Sequence, residues 1–142
     1  MRVKSFLLLL GVLLCGTGIH AQDLVVVVSP RSGVAAMTRA EVINYFFGRN
    51  RQFFNGVEAE PVDLQDSNPL RERFYRQLVG KELAEVNAYW SRQLFSGRMQ
   101  PLPRVASSDE VLKWVAAHPG GIGFVEAHKV DARARIVYEF KP

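Results

Sequence analysis

The sequence predicts an α/β domain with a mixed, mostly parallel sheet that is covered by helices on both faces. Leu24–Val28 is a continuous apolar run, mainly of β-branched residues, of the kind found in central strands that are covered on both faces. Strand and helix patterns alternate after it. Capping motifs at Thr38 and Ser107 mark helix starts between those strands, and together these observations define the fold class.

The first helix and the second strand follow directly from local motifs. The hydroxyl of Thr38 and the carboxylate of Glu41 have the spacing of a capping box, and Gly48 is placed to end the helix that they begin. An Asn55-Gly56 turn then precedes a predicted strand over residues 57–64. Along the chain, the first helix would therefore lie between two strands.

The remaining elements complete the order β-α-β-α-α-α-β-β. A second helix begins at Asn68-Pro69, because proline suits the first helical position and asparagine the cap, and it runs to Gly80. The sequence further predicts a third helix over 83–94, a fourth helix opening at a capping box over 107–110, a strand over 122–125 and an edge-like strand over 135–140. No internal repeat or linker interrupts this order.

The first 21 residues have the three-part order of a secretory signal peptide. Two positive charges, Arg2 and Lys4, precede an apolar run over 6–14 and a small, mildly polar stretch that ends at Ala21. We expect cleavage after Ala21, a mature domain over 22–142 and a periplasmic location. The alternatives are a retained anchor, for which the run is shorter than the roughly 20 residues that span a bilayer, and a lipid-modified Cys15. No stable membrane insertion is expected after cleavage.

Composition excludes several classes of partner. Removal of Arg2 and Lys4 lowers Lys plus Arg from 18 to 16, so with 14 acids the net charge falls from +4 to +2. No block of basic residues occurs, and nucleic-acid binding is not predicted. The lone cysteine lies in the predicted signal, so the mature domain depends on its core without disulfides.

No catalytic or metal-binding pattern is found in the sequence. His118 and His128 are not at metal-ligand spacing to another His, Cys or Glu, and neither a nucleophile elbow nor a phosphate-cradling glycine loop occurs. Asp63 and Asp66 are the only acids paired near a candidate ligand loop, and we expect them to be solvated. The sequence therefore predicts a non-enzyme without cofactor; a small hydrolase is a third hypothesis that would need a converging pair of acids or nucleophiles.

An oxyanion site is the best-supported chemical prediction. A helix start offers unpaired amides and a partial positive charge. At the second helix these are joined by Ser67, Asn68 and Arg71, and arginine can bind an oxyanion with two parallel hydrogen bonds. Ser29 and Arg31, in the loop after the first strand, would assist from a neighbouring strand end. The alternative is that Ser67 and Asn68 only cap the helix and both arginines are solvated.

Several short motifs follow one another in a characteristic order: Tyr45-Phe46-Phe47-Gly48-Arg49, Asn55-Gly56, Pro61-Val62-Asp63, the stretch from Ser67 to Phe74, Tyr89-Trp90, Phe95-Ser96-Gly97 and the stretch from Pro119 to Val125. This order resembles the phosphate substrate-binding proteins of ABC transporters, and most closely their short, single-lobe members. The resemblance extends from about Leu24 to Glu126.

The resemblance implies one lobe of a type II periplasmic-binding-protein-like fold and a ligand that is phosphate or a related oxyanion. It implies partners in an ABC transporter permease or another envelope protein. Ser67 falls at the helix start that holds the anion in that family, but Asn68-Pro69 stands where Gly-Thr is expected. Because only one lobe is present, the alternative is an accessory interaction protein of the cell envelope that has lost ligand binding.

Overall fold

The structure, a computed structural model, describes residues 23–141, so the predicted signal peptide lies outside the described residues. These described residues form six strands, four α-helices and one short 3-10 helix. In chain order these are β1 (Leu24–Val28), α1 (Arg39–Phe46), β2 (Glu60–Pro61), β3 (Asp63–Leu64), α2 (Pro69–Val79), α3 (Leu83–Phe95), β4 (Arg104–Val105), α4 (Ser108–Ala117), β5 (Gly121–Glu126), the 3-10 helix (Ala127–Lys129) and β6 (Arg135–Glu139).

The main sheet is mixed and has the strand order β2-β5-β1-β6. All five residues of β1 are buried, which confirms the prediction of a central, covered strand, and β6 lies at the edge as expected. The expectation of mostly parallel pairing is corrected, because β1 is antiparallel to both β5 and β6 and only β2 is parallel to β5. An apolar run predicts that a strand is buried but not whether it is parallel or antiparallel to its neighbours. The connections between strands decide that direction.

The second predicted strand is divided between two sheets. The amide of Val62 still donates to the Ile122 carbonyl oxygen of β5 (2.9 Å), whereas the next amide, of Asp63, donates to Pro103 (2.8 Å). From there β3 pairs in parallel with β4, a two-residue strand that the sequence does not predict. This change of neighbour directs the end of the strand toward α2 and away from the main sheet.

Three predicted helix starts are confirmed. Thr38 and Glu41 form the reciprocal capping box of α1, Asn68 caps α2, and Ser107 caps α4. Gly80 ends α2 in the left-handed conformation (φ 66°), which glycine adopts without strain. No helix within residues 23–141 has the length and apolar character to span a membrane.

Aromatic rings join the helices to the main sheet. Phe74 of α2 stacks on Phe124 of β5 with a ring-centroid distance of 3.8 Å, and Phe46 of α1 contacts both rings edge-on. Aromatic pairs of this kind add to the free energy gained from apolar burial. The start of α2 is therefore attached to a rigid, fully buried core.

Candidate functional site

The predicted site lies where β3 and β4 end and α2 and α4 begin. Since the two strands are parallel, both chains leave the small sheet at the same edge. The side-chain amide of Asn68 donates to the Ala106 carbonyl oxygen (3.1 Å) and holds the two helix starts side by side. Residues 65–68 and 106–109 are called the α2–α4 edge below.

At the start of α2 most backbone donors already have partners. The Oδ1 atom of Asn68 accepts the Leu70 amide (3.0 Å), the Arg71 amide donates to the Asn68 carbonyl oxygen (3.1 Å), and Pro69 has no amide to offer. Ser67 is exposed, and its hydroxyl has no hydrogen-bond partner within residues 23–141. The side chain of Ser67, just before the cap of α2, is thus a free polar group at the edge.

The start of α4 contributes backbone donors. Ser107 accepts the amide of Glu110 at its hydroxyl oxygen (3.3 Å). The amides of Ser108 and Asp109 belong to the first helical turn, where no intrahelical acceptor exists. They are placed at the edge together with the positive end of the helix dipole.

Arg71 lies below this edge and is fully buried. Its Nε donates to Asp63 Oδ2 (3.0 Å), and its Nη1 donates to Asp66 Oδ1 (2.6 Å) and Asn87 Oδ1 (3.0 Å). The Tyr75 hydroxyl donates to the same Oδ2 atom of Asp63 (2.9 Å). The Nη2 atom of Arg71 is buried and has no acceptor among the described residues. Arg71 is therefore bound internally, at the junction of α2, α3 and β3.

The two acids beside Arg71 differ in environment. Asp63 is buried, so the expectation that it is solvated is wrong; Asp66 is 53% exposed but pairs with Arg71. Burial raises the pKa of Asp63, against the opposing effects of Arg71 and of the Tyr75 hydroxyl. Burial, followed by the negative charge of Asp63, also raises the pKa of the Tyr75 phenol well above its usual value. The protonation of Tyr75 therefore depends on the charge of Asp63.

Glu126, at the end of β5, lies against the start of α4. The Ser108 hydroxyl donates to its Oε2 atom (2.5 Å), and Lys129 forms an ion pair with its other oxygen (3.5 Å). Burial alone would raise the pKa of Glu126, but the Ser108 hydroxyl and Lys129 outweigh it, and the pKa lies below its usual value. The edge therefore carries acceptors as well as donors.

Ser29 and Arg31 do not lie at the α2–α4 edge. Ser29 is buried, and its hydroxyl oxygen accepts the Arg31 amide (3.2 Å). The Arg31 Nη2 donates to the Ala116 carbonyl oxygen (2.8 Å) at the other end of α4. Ten residues of helix separate the two ends, about 15 Å. The antiparallel direction of β1 accounts for this separation, because β1 ends where β5 begins.

Sequence reasoning missed the partners that fix Arg71. Asn87 lies 16 residues further along the chain, and Arg104, whose Nη1 is 3.4 Å from Asp66 Oδ2, lies 38 residues from Asp66. No local pattern links residues so far apart. Within residues 23–141, no group of three or more His, Cys, Asp and Glu side chains is arranged to hold a metal ion.

A second feature is a surface cavity of about 440 Å³ on the outer side of β2. Its walls include residues 50–51, 58–61 and 99–103, together with Trp90 and Trp114. The Trp114 indole N–H is already bound to the Glu60 carbonyl oxygen (2.9 Å). The cavity is mainly apolar and does not include the predicted anion residues.

No family model and no curated protein matches this sequence. Solved structures do match: a phosphate transport receptor of ABC type from Vibrio cholerae has a TM-score of 0.64 at 16% identity over 81% of this chain and 45% of its own. A substrate-binding protein of a putative phosphate ABC transporter from Clostridium perfringens, with bound phosphate, has a TM-score of 0.63 at 13% identity over 81% of this chain and 44% of its own. PstS from Borrelia burgdorferi has a TM-score of 0.61 at 14% identity over 81% of this chain and 46% of its own.

These similarities show the fold. The chain has helices flanking a mixed sheet, arranged as a single lobe of a phosphate-binding-protein-like fold. It spans slightly less than half the length of the three receptors. The class of architecture inferred from the order of sequence motifs is thereby confirmed.

Proposed function

We propose that this chain is an exported, non-enzymatic solute-binding-like domain whose ligand is phosphate or a related oxyanion. The observation that carries the proposal is the α2–α4 edge, where two helix starts lie side by side in a lobe with the fold of phosphate receptors. Ser67 and Asn68 lie at that edge, and the amides of Ser108 and Asp109 add donors from α4. Oxyanions bind at such helix starts because the donors and the dipole act together.

The sequence-predicted residues have different parts in this proposal. The Ser67 hydroxyl contacts the anion, Asn68 orients the edge, and Arg71 supplies positive charge from beneath it. Ser29 and Arg31 belong to the opposite end of α4. Export through a signal peptide cleaved after Ala21 would bring the domain to the periplasm, and an ABC transporter permease is the proposed partner there.

Calorimetric titration of the exported protein with phosphate tests the proposal, and mass spectrometry of the purified chain tests cleavage after Ala21. We expect saturable heat at or below millimolar phosphate and about tenfold weaker binding in Ser67→Ala, because one oxyanion contact is lost. Ser91→Ala is the matched control, since Ser91 is also exposed but lies within α3. No heat at millimolar phosphate with folded protein would refute phosphate binding, and an unchanged Ser67→Ala affinity would refute the location.

A second candidate function is an interaction lobe of the cell envelope that does not bind a ligand. It is favoured by the internal pairing of Arg71 with Asp63 and Asp66, which consumes a charge that an anion would use. It is also favoured by Phe54 and Phe95, whose side chains are 83% and 90% exposed. Large exposed apolar side chains are typical of interaction surfaces.

A further inference from the structure

The carboxylate of Asp66 lies between two guanidinium groups. Its Oδ1 accepts from Arg71 Nη1 (2.6 Å), and its Oδ2 lies 3.4 Å from Arg104 Nη1. Each oxygen of the carboxylate thus faces a different arginine, one from α2 and one from β4. A tetrahedral oxyanion makes the same kind of bridging contact with arginine pairs.

Asp66 is the displaceable member of this cluster. It is 53% exposed and lies in the turn just before Ser67, whereas Asp63 is buried in β3. Without Asp66, Arg71 would keep the Nε bond to Asp63 and the Nη1 bond to Asn87. The buried guanidinium would therefore stay partnered, which keeps the cost of removing Asp66 well below that of breaking a fully buried pair.

Arg71 also has unused donor capacity. Its Nη2 atom is buried and has no acceptor among the described residues, although buried donors nearly always find one. Arg104 is one-third exposed, and its Nη1 contact with Asp66 is long for a charged hydrogen bond. Arg104 could therefore bind a closer acceptor than Asp66.

We propose that Asp66 is an internal oxyanion that occupies a phosphate-class subsite formed by Arg71 and Arg104 and thereby restrains ligand binding at the α2–α4 edge. The proposal rests on the proposed function, because it assigns the same ligand class to the same edge. Displacement of the Asp66 side chain removes one negative charge and frees one donor on each arginine. Phosphate, which carries more negative charge than one carboxylate, would bind there with hydrogen bonds to both.

Phosphate titration of Asp66→Ala is the central experiment. We expect its affinity for inorganic phosphate to be at least about tenfold higher than that of the wild-type chain, and to weaken as sodium chloride is raised. Glu85→Ala is the matched control, because Glu85 is 55% exposed and pairs with Lys81 (3.5 Å) at the start of α3, outside the α2–α4 edge. Its phosphate affinity should equal that of the wild type.

Two more variants make the result specific. Asp66→Asn keeps the size of the side chain while removing its charge, so it should give a smaller gain and serves if Asp66→Ala does not fold. Adding Arg104→Gln to the Asp66 variant should abolish the gain, because one of the two guanidinium groups is lost.

The outcomes separate this proposal from the proposed function. An increased affinity in the Asp66 variants that Arg104→Gln reverses supports the subsite, even if wild-type binding is undetectable. Equal or weaker binding in both Asp66 variants overturns the subsite, while measurable wild-type binding would keep the proposed function. If no folded variant binds phosphate, both proposals are refuted.

Discussion

At the residue scale, the environment of Arg71 differs from the exposed one that its position in the sequence suggests. An arginine in the first turn of a helix, beside Ser67 and Asn68, has the expected chemistry of an anion ligand. In the folded chain it is fully buried and bound to Asp63 and Asp66. Removal of Asp63, the buried partner, would be costly, since it would leave a buried charge without compensation.

The Tyr75 hydroxyl gives this cluster a measurable pH dependence. Its folded pKa is raised, so the neutral phenol is stabilised by folding, and that contribution is complete below the usual tyrosine pKa of about 10. As the pH rises further, unfolding releases a phenol that ionises, and stability falls by about 1.4 kcal/mol per pH unit. Tyr75→Phe should cost about 1–3 kcal/mol at pH 7 through the lost bond to Asp63.

Denaturant unfolding at pH 7 and at pH 10 to 11 checks this prediction. The stability difference between wild type and Tyr75→Phe should shrink at the alkaline pH, because only the wild type loses the Tyr75 contribution. Tyr138→Phe is the control at pH 7 and should cost less, since the Tyr138 hydroxyl has no hydrogen bond within residues 23–141. A difference that is constant with pH would contradict the assignment of a raised pKa to Tyr75.

At the element scale, glycines of β5 allow α4 to pack closely on the sheet. A Cβ atom on Gly121 would lie 2.8 Å from the Cα of Val115, and one on Gly123 would lie 2.4 Å from the Val111 Cγ1. Real Cβ atoms do not approach other atoms so closely, so a side chain at either position would push the helix away. The position of the α4 start, and with it the α2–α4 edge, depends on these two glycines.

Gly123→Ala should lower the free energy of unfolding by about 1–3 kcal/mol, as expected for an overpacked core. The same substitution in a Val111→Ala background should cost less, because the atom that it meets is gone. A double-mutant cycle with denaturant unfolding measures this coupling. Strictly additive losses would show that the contact between β5 and α4 does not set the cost.

At the scale of the whole molecule, the chain forms one lobe of a fold that in the matched receptors belongs to chains of about twice its length. Two phenylalanines, Phe54 and Phe95, have side chains that are 83% and 90% exposed.

If the interaction function is correct, a photo-crosslinking amino acid at position 95 should give a defined adduct in the cell envelope. Position 82, at the other end of α3, is the matched control and lies about 20 Å away. Ser67→Ala should leave the adduct intact and change stability by no more than about 0.5 kcal/mol, because Ser67 is exposed. Equal adducts at positions 82 and 95 would contradict a specific surface.

Local chemistry determined much of this molecule. The capping residues Thr38, Asn68 and Ser107 start helices where the sequence predicts, because each satisfies free amides within its own turn. Leu24–Val28 is a central strand because five consecutive apolar residues can be buried only between two layers. Such features depend on neighbours in the chain and can be recognised in the sequence.

Only the tertiary structure decided which of the predicted site residues meet. The direction of β1 places Ser29 and Arg31 at one end of α4 and Ser67 at the other, and no pattern within an apolar run specifies direction. The Arg71 side chain is bound by Asp63 of β3, eight residues before it, and by Asn87 of α3, 16 residues after it. The sequence determined the elements and the residue types of the site. Packing determined that Arg71 is buried, because α2, α3 and β3 meet around its side chain and supply Asp63 and Asn87 as its partners.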